Sequence, residues 1–422
     1  MFQGIEIFLY FEIAFILILF QSITLFYTLY QTGISLLGMF KRPPKSLLSP
    51  LEMRYALFIC AHNEEKVVGY AVDSLNALDY PKEWYDIYVI CDNCSDHTAD
   101  IVRAHGAIAM ERTDPTRQGK GYGIAWMLHQ LWKLELLNDK RYDAIAIFDA
   151  DNLVETNLLN EVSSKLNEGH EVIQVYLDSK NPNDNWITKA YAASYWTTNR
   201  VYQLARENIG LSAQLGGTGT VMSSRILKKY GWESTSLTED LEFTTRYVLE
   251  ENKRVAWVHT AKIYDEKPLE MKVSYRQRLR WMKGHFDCAT RYSTLLLKKL
   301  LRNPNLLTFD VLVYLWQPSK ILLTLGSLGF SLLSQFNPLP LLIQNWVLNP
   351  WIWDATLSLY YAVYLVAFVL EKKSSKILWF FHSYLFSLTW IPIIPIAFIQ
   401  RKEKTWTHTK HTRALKKEEI TL

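Results

Sequence analysis

Long apolar runs lie near both ends of the chain and are absent from its middle. The first run, Gly4–Tyr30, is long enough to cross a bilayer, and no small-residue cleavage site of a signal peptide follows it. Three further runs cover about 306–334, 354–370 and 377–399. The pattern therefore predicts four membrane segments around one soluble domain of about 50–290.

Basic residues beside these runs predict the orientation of the chain. Phe40–Lys45 and Glu371–Lys376 are basic, whereas Ser334–Asp354 contains no Lys or Arg. Because basic loops stay in the cytoplasm, we expect the soluble domain there. Four full crossings would place the basic tail Arg401–Lys417 outside, against the same rule. Either the last apolar run, which contains two prolines, enters and leaves on one side, or one segment is miscounted; we expect a cytoplasmic tail.

The middle of the chain alternates between short apolar runs and stretches with helical spacing. The apolar runs are Arg54–Cys60, Asp86–Cys91, Ala107–Met110 and Tyr142–Ala150. The helical stretches are Glu64–Leu78, Thr98–Gly106 (with Asp96 and Thr98 as N-caps) and Gly119–Leu134. Such alternation predicts parallel strand–helix–strand units, and apolar strands indicate a sheet that is covered on both faces.

Polar clusters follow three of the predicted strands. They are "AHNEE" (Ala61–Glu65), "DNCSD" (Asp92–Asp96) and "DADN" (Asp149–Asn152). In a parallel sheet the carboxyl ends of the strands share one edge, where ligands bind. Three acidic clusters at that edge would repel one another unless a cation lay among them.

Asp149 and Asp151 lie two residues apart and therefore on the same side of the strand end. Two carboxylates are hard oxygen ligands that suit Mg²⁺ or Mn²⁺, with a diphosphate completing the coordination shell. The alternative is a turn whose aspartates cap the next segment. The pair alone leaves both interpretations open.

Two later motifs favour the first interpretation. "LTEDLEF" (Leu237–Phe243) combines a start that resembles a capping box with an acidic pair. Gln277, Arg280 and Trp281 share one face of a predicted helix, with Arg278 between them. Arginine offers a planar fork for a diphosphate, and tryptophan offers a flat surface for a sugar ring. The alternative is a basic amphipathic helix on the membrane surface, and both can hold together.

Composition excludes some classes of protein. The net charge is +4, without a basic stripe interleaved with aromatic residues, so a nucleic-acid partner is not expected. Aromatic residues make up 14% of the chain, as at membrane interfaces and sugar sites. Cys91 and Cys94 form a lone C-x-x-C, for which ordinary buried cysteines are favoured over a metal or redox site.

The chain resembles the membrane-embedded family-2 glycosyltransferases, which include cellulose, hyaluronan, chitin and poly-N-acetylglucosamine synthases. The matching motifs, in the family's order over roughly 54–288, are "CAHNEE", "DNCSDHT", "GKGYG", "FDADN", "LTED" and "RQRLRW". The resemblance implies an α/β GT-A domain, Rossmann-like and nucleotide-sugar-binding, in the cytoplasm and flanked by α-helical transmembrane segments. The implied domains are a transmembrane helix (1–40), the GT-A domain (50–267), interfacial helices (268–303), about three transmembrane helices (304–400) and a basic tail (401–422).

The resemblance also implies roles for single residues. The catalytic base is expected to be Asp240 and the metal ligand Asp151, with Asp149 as a second candidate. Residues expected to bind the nucleotide are Ala61, Asn63, Glu64, Asp92, Lys120 and Asp149. Residues expected to hold the diphosphate are Gln277, Arg278 and Arg280, and those expected at the acceptor are Trp281, Glu239 and Gly217. The cofactor is expected to be Mg²⁺ or Mn²⁺.

The implied function is an inverting transfer of hexose units from UDP-N-acetylglucosamine or UDP-glucose to a growing β-linked polysaccharide, which the protein would also export. One alternative is a non-processive transferase that adds a single sugar to a lipid-linked acceptor. A remote alternative is a non-catalytic membrane scaffold or channel component. Expected partners are the UDP-sugar, a glycan acceptor, membrane lipid and accessory membrane or export proteins, in a bacterial plasma membrane that the chain crosses several times.

The segment after Gln400 carries two further expectations. It is too short for the cyclic-dinucleotide-binding domain of cellulose-type members, which slightly favours N-acetylglucosamine as the sugar. Its Trp406, His408, Thr409 and His411 are expected either to fold over the active site as a gating segment or to lie on anionic lipid.

Overall fold

A computed structural model describes residues 2–41, 53–232, 236–333, 345, 349–403, 413–415 and 417–420. The gating segment proposed for Trp406 to His411 lies outside these residues. The strands are β1 (Tyr55–Ala61), β2 (Tyr85–Asp92), β3 (Ile108–Arg112), β4 (Ala144–Asp149), β5 (Leu153–Val154), β6 (Val172–Ser179), β7 (Thr220–Ser223) and β8 (Ala256–Asp265). The helices are α1 (Phe2–Gly38), α2 (Val68–Asn76), α3 (Thr98–Ala104), α4 (Lys120–Asn138), α5 (Leu158–Asn167), α6 (Trp186–Thr198), α7 (Ala205–Asn208), α8 (Ser224–Tyr230), α9 (Glu239–Glu251), α10 (Met271–Arg302), α11 (Leu306–Trp316), α12 (Ser319–Leu333), α13 (Pro350–Leu370), α14 (Trp379–Leu388) and α15 (Ile393–Ile399).

The strands form one sheet in the order β3-β2-β1-β4-β7-β6-β8-β5. The four strands predicted from the sequence pair in parallel. The remaining strands make the sheet mixed, because β7 runs antiparallel to both β4 and β6, and β5 runs antiparallel to β8. β6 and β8 therefore run in the same direction as β4. The carboxyl ends of β1, β2, β4, β6 and β8 consequently share one edge.

Helices cover both faces of the sheet, as the apolar strands predicted. On one face, α2, α3 and α5 bury side chains such as Val72, Val102 and Val162. On the other, α4, α6 and α9 bury side chains such as Leu131 and Trp196. This packing fixes the strand ends that carry the polar clusters.

The apolar runs form helices that are attached to this domain. Among the described residues, Phe11–Gly38 and Trp351–Leu370 are each long and apolar enough to cross a membrane. Two further pairs bend at a short break, Leu306–Trp316 with Ser319–Gly329 by 55° and Trp379–Leu388 with Ile393–Ile399 by 42°. The number of candidate spans is therefore two, or four if each bent pair counts as one.

A buried ion pair joins the domain to these helices. Arg206 of α7 donates two hydrogen bonds of 2.9 Å to the carboxylate of Asp310 in α11. Their side chains are 2% and 0% exposed. Arg206 also reaches Gln31 of α1 at 3.3 Å, and Tyr30 donates to Asp310 at 3.0 Å. The pair thus holds α1, α7 and α11 together.

A second junction lies at the end of α13. Glu371 accepts from Arg200 Nε at 2.6 Å and from the Tyr176 hydroxyl at 2.9 Å, and it lies 3.1 Å from His259. Arg200 belongs to a π-helical turn, Asn199–Leu204, that continues α6. Such turns are rare and mark local constraints. This junction couples α13 to β6 and β8 of the sheet.

Candidate active site

Two loops at the sheet edge are tied together beside Ala61. Asn63 has a positive φ of 55°, and its side-chain oxygen accepts from Ser95 N at 2.7 Å. Glu64 N donates to the Thr98 hydroxyl at 2.9 Å. The thiol of Cys94 also lies within this pair of loops, 3.7 Å from the carbonyl oxygen of Ala61. The structure therefore brings together the first three residues predicted at the nucleotide.

Asp92, at the end of β2, is paired with an arginine that the sequence analysis missed. Arg112 donates to Asp92 at 2.5 Å and to Asp114 at 3.0 Å, and its side chain is 6% exposed. Burial raises the pKa of Asp92, and the bond from Arg112 partly offsets this rise. Arg112 ends β3, so its position at the same edge was the available signal.

Lys120, at the start of α4, reaches across the edge to Asp149. Its ammonium group donates to the Asp149 carboxylate and, at 2.6 Å, to the carbonyl oxygen of Gly217. Burial alone would lower the pKa of Lys120, but the charge of Asp149 leaves it raised. Gly217 has φ +78°, a conformation that glycine adopts without strain. The cation expected among the acids is thus in part a lysine.

The turn after β4 holds Asp151 in place. Its side chain is buried and accepts from Glu266 N at 2.6 Å, and Lys180 donates to its backbone carbonyl at 3.0 Å. The Asp149 backbone N–H points to the Thr218 hydroxyl and the Asn152 side chain, both at 3.1 Å. These bonds fix the direction of the Asp151 carboxylate and the backbone at Asp149.

The two aspartates fit a magnesium or manganese ion as far as their chemistry goes. Mg²⁺ commonly binds one or two carboxylates and takes its remaining ligands from substrate phosphates and water. Within the described ranges, no group of three or more His, Cys, Asp or Glu side chains is arranged to hold a metal by itself. A shell completed by the donor's diphosphate is consistent with both observations.

Glu239 and Asp240 open α9 directly beside the Lys120–Asp149 pair. The predicted capping box does not form, because the Thr238 side chain bonds none of the helix N–H groups; Asp240 instead accepts from Leu241 N at 2.9 Å. Burial, followed by the charge of Glu239, raises the pKa of Asp240 to about 7. A Cβ atom at Gly217 would lie 3.5 Å from an Asp240 carboxylate oxygen.

Charged side chains from several elements act on Glu239. Burial raises the pKa of Glu239, Lys120 and Arg280 lower it, and Asp149 raises it further. The close approach of α10 to α9 depends on Gly284, where a Cβ atom would meet the Thr238 hydroxyl at 2.5 Å. The structure therefore gathers residues from four distant parts of the chain.

The four predicted residues of α10 divide into two groups. Arg280 makes no hydrogen bond to any described residue, and its charge acts on Glu239. The Gln277 Oε1 atom is buried and has no hydrogen-bond partner among the described residues. Trp281 packs against an apolar cluster formed by Ile187, Ala190 and Tyr191 of α6 and Phe386 of α14. Arg278 is fully buried instead, and it donates to the Thr389 hydroxyl at 2.7 Å. The structure brings Arg280 to the acids, whereas it commits Arg278 to helix packing.

A second charged pair, which was not predicted from the sequence, lies at this edge at the end of β8. Lys267 lies 2.6 Å from Asp265 and 3.4 Å from the centre of the Tyr195 ring. Burial raises the pKa of Asp265 to about 6, with Lys267 opposing and Asp151 adding to the rise. The signal was available, because "VAWVHTAKIYDEK" is an apolar strand that ends in acids like the earlier three.

A family model described as "Glycosyltransferase like family 2" matches residues 53–284, which is more than half of the chain. The chain belongs to glycosyltransferase family 2. The prediction of the family from the motifs is thus confirmed, whereas its placement among the polysaccharide synthases is not shown. The match covers the sheet and the edge where the acids meet, and it ends just after the "RQRLRW" motif.

Named relatives of this family-2 glycosyltransferase come from bacteria. The chain is 28% identical over 249 residues to the probable glycosyltransferase YdaM of Bacillus subtilis, covering 55% of each chain. It is 27% identical over 266 residues to the beta-monoglucosyldiacylglycerol synthase of Trichormus variabilis, covering 62% of this chain and 54% of that one. The chain spans about half the length of the curated relatives it matches.

A solved structure supports the fold. The mannosyltransferase PcManGT from Pyrobaculum calidifontis, in complex with GDP-Man and Mn²⁺, superposes with a TM-score of 0.54 at 14% identity, covering 83% of this chain and 98% of that one. Family and superposition together confirm the predicted fold class, a GT-A domain with apolar helices beside it.

Proposed function

We propose that the chain transfers a single hexose from a UDP-sugar to the hydroxyl of a lipid acceptor, with inversion at the anomeric carbon. The observation that carries the proposal is Asp240, a partly exposed carboxylate with a pKa of about 7 beside the Lys120–Asp149 pair. A carboxylate with such a pKa suits a general base near neutral pH. Three relatives are named for a monoglucosylated diacylglycerol, which supports single addition over the processive synthesis that we expected from the resemblance.

The donor is proposed to lie along the sheet edge. Asp92 retains a carboxylate oxygen that can accept from the N–H of a pyrimidine base, next to the loops of Ala61, Asn63 and Glu64. Lys120 and Arg280 supply positive charge for the diphosphate.

A Mg²⁺ or Mn²⁺ ion would be held by Asp151 and Asp149. When bound, it would neutralise part of the charge on the departing UDP. The fit rests on the two carboxylates described above.

Asp240 then performs the proton transfer. Its carboxylate takes the proton of the acceptor hydroxyl while that oxygen attacks the anomeric carbon. The bond from that carbon to the diphosphate oxygen breaks on the opposite face, and the electron pair leaves with UDP. An α-linked donor thereby gives a β-linked product. Glu239, Gly217 and Trp281 are proposed to shape the acceptor side of the site.

The membrane location follows from the same proposal. The two candidate spans support a position of the domain at a bilayer surface, and the basic residues beside them favour the cytoplasmic side of a bacterial plasma membrane. A single added sugar does not require a polysaccharide channel or export partners.

The test is UDP release and product mass with the full chain in detergent. UDP-glucose and UDP-N-acetylglucosamine are each supplied with Mg²⁺ or Mn²⁺, with and without dioleoylglycerol. We expect lipid-dependent UDP release and one added hexose per lipid. Asp240→Asn should lower kcat at least a hundredfold, while Glu250→Gln, an exposed change on the same helix, should not. Products that carry many sugars would establish the processive reading instead.

A further inference from the structure

A cavity of about 670 Å³ lies among α1, α6, α12, α13 and α14, apart from the acids of the sheet edge. Most of the wall surface is apolar, but it carries many hydroxyl groups: of 20 lining residues, nine are Ser or Thr and four are Tyr. Four of these five helices belong to the candidate spans or to the bent pairs. Polar side chains at membrane depth face water-filled space or a polar ligand, because lipid chains offer them no partner.

The hydroxyl groups of this wall are available mainly as acceptors. Eight of the nine Ser and Thr side chains donate to a backbone carbonyl of their own helix, at 2.6 to 3.0 Å. A hydroxyl that has used its proton still carries a lone pair. The cavity therefore matches a ligand that donates O–H groups.

The charges of the wall favour an uncharged ligand. Lys320 and Asp354 are its two charged residues and together contribute no net charge. The Lys320 ammonium lies 4.8 Å from the centre of the Tyr360 ring, a cation–π contact. A phosphate group would meet the Lys320 ammonium but also the Asp354 carboxylate and many oxygen lone pairs, so the wall offers it no net positive charge.

One helix separates the cavity from the catalytic edge. Ser194 of α6 lines the cavity. The next residue, Tyr195, contacts Lys267, which is paired with Asp265 at the edge. Trp281, proposed at the acceptor, packs against the apolar cluster that α6 forms with Phe386. The cavity and the catalytic acids therefore share α6 as their common wall.

We propose that this cavity receives the uncharged, hydroxyl-bearing headgroup of the lipid acceptor from the bilayer, on its way to the catalytic acids beyond α6. This inference rests on the proposed function and adds to it the place and the chemical class of the acceptor. A diacylglycerol and a neutral glycolipid share this headgroup chemistry.

The first experiment measures binding without turnover. The full chain in detergent is irradiated with a dioleoylglycerol analogue that carries a diazirine near the glycerol, and labelled peptides are mapped by mass spectrometry. We expect labelled peptides from α12 and α14, and we expect both unlabelled dioleoylglycerol and a monoglucosyl lipid to reduce this labelling by competition. Displacement by phosphatidic acid would overturn the uncharged class, and displacement by a free β-glucan oligosaccharide would overturn the lipid.

The second experiment fills the cavity. Ser383→Trp should lower labelling at least tenfold and raise the KM for dioleoylglycerol by a similar factor. Leu385→Trp, on the same helix but 56% exposed and not part of the wall, should change neither. If Ser383→Trp does not fold, Ser327→Trp and its neighbour Leu328→Trp form the same comparison on α12. Equal behaviour within a folded pair overturns the proposal.

Failure of the proposed function has a different signature. It would appear as absence of UDP release from every UDP-sugar by the unmodified chain, with or without lipid. The labelling comparison between wall and control positions would still decide the binding site.

Discussion

Removing one partner of the Arg206–Asp310 pair should destabilise the protein strongly. The side chains are 2% and 0% exposed, so either charge would remain buried without compensation. Breaking such a pair from one side costs about 3–5 kcal/mol. For a domain of this size about 1 kcal/mol corresponds to about 2–4 °C, so Asp310→Leu or Arg206→Met should lower the melting temperature by about 6–20 °C.

The double variant Arg206→Met with Asp310→Leu separates the pair from its surroundings. It leaves the Tyr30 hydroxyl and the Gln31 side-chain oxygen without the bonds they make to the pair, at about 1 kcal/mol each, but it leaves no buried charge. We therefore expect it to be more stable than either single variant, with a coupling free energy above about 1 kcal/mol. Thermal unfolding in one detergent, followed by tryptophan fluorescence, measures all four proteins. Single variants that melt within about 2 °C of the unmodified chain would refute the reasoning, as would a double variant whose loss equals the sum of the two.

Three further predictions concern the acids and the backbone. Because Asp240 must be ionised to act as a base and its pKa is about 7, kcat/KM should fall about tenfold from pH 8 to pH 6; a flat profile over that range would exclude it as the base. Gly217→Ala and Gly210→Ala both force alanine into a positive φ and should each lower the free energy of unfolding by about 1–2 kcal/mol. Only Gly217→Ala, whose Cβ atom would lie 3.5 Å from an Asp240 carboxylate oxygen, should lower turnover in a steady-state assay. Equal turnover of the two variants would show that this contact is irrelevant to the reaction. Burial acts to raise the pKa of Glu371, yet its cationic partners lower it to about 2, so the carboxylate contributes roughly 3 kcal/mol of stability above pH 4.5, and this contribution is lost as the pH falls toward 2. Glu371→Gln should therefore be less stable than the unmodified chain at pH 7 and should lose less stability between pH 7 and pH 3. Identical unfolding curves of the two proteins at both pH values would contradict this.

The acidic edge could be predicted from sequence because periodicity and position coincide there. An apolar strand that ends in "DADN" predicts Asp149 and Asp151 at one edge, since parallel strands bring their carboxyl ends together. The same logic would have found Asp265, had the run ending there been recognised as a strand.

Partners that lie far apart along the chain could not be predicted in this way. Arg206 and Asp310 are 104 positions apart, and neither lies in a local pattern that indicates the other. The direction of β7 was equally hidden, because a four-residue strand after "GGTG" carries no signal of its orientation. For Arg278, helical spacing separated it from Gln277 and Arg280, but only the packing of α14 shows where its guanidinium binds.

The two ion-pair junctions restrict the movement of the catalytic domain relative to the apolar helices. Arg206 and Glu371 connect the catalytic domain to α11 and α13 through buried contacts, so within the described residues the domain is fastened to its apolar helices at two separate points. These two contacts limit how far Asp240 can move relative to the apolar helices. Under the proposed function, the length of the acceptor headgroup would then decide which hydroxyl reaches Asp240, and a hydroxyl one sugar farther from the lipid chains would lie out of its reach.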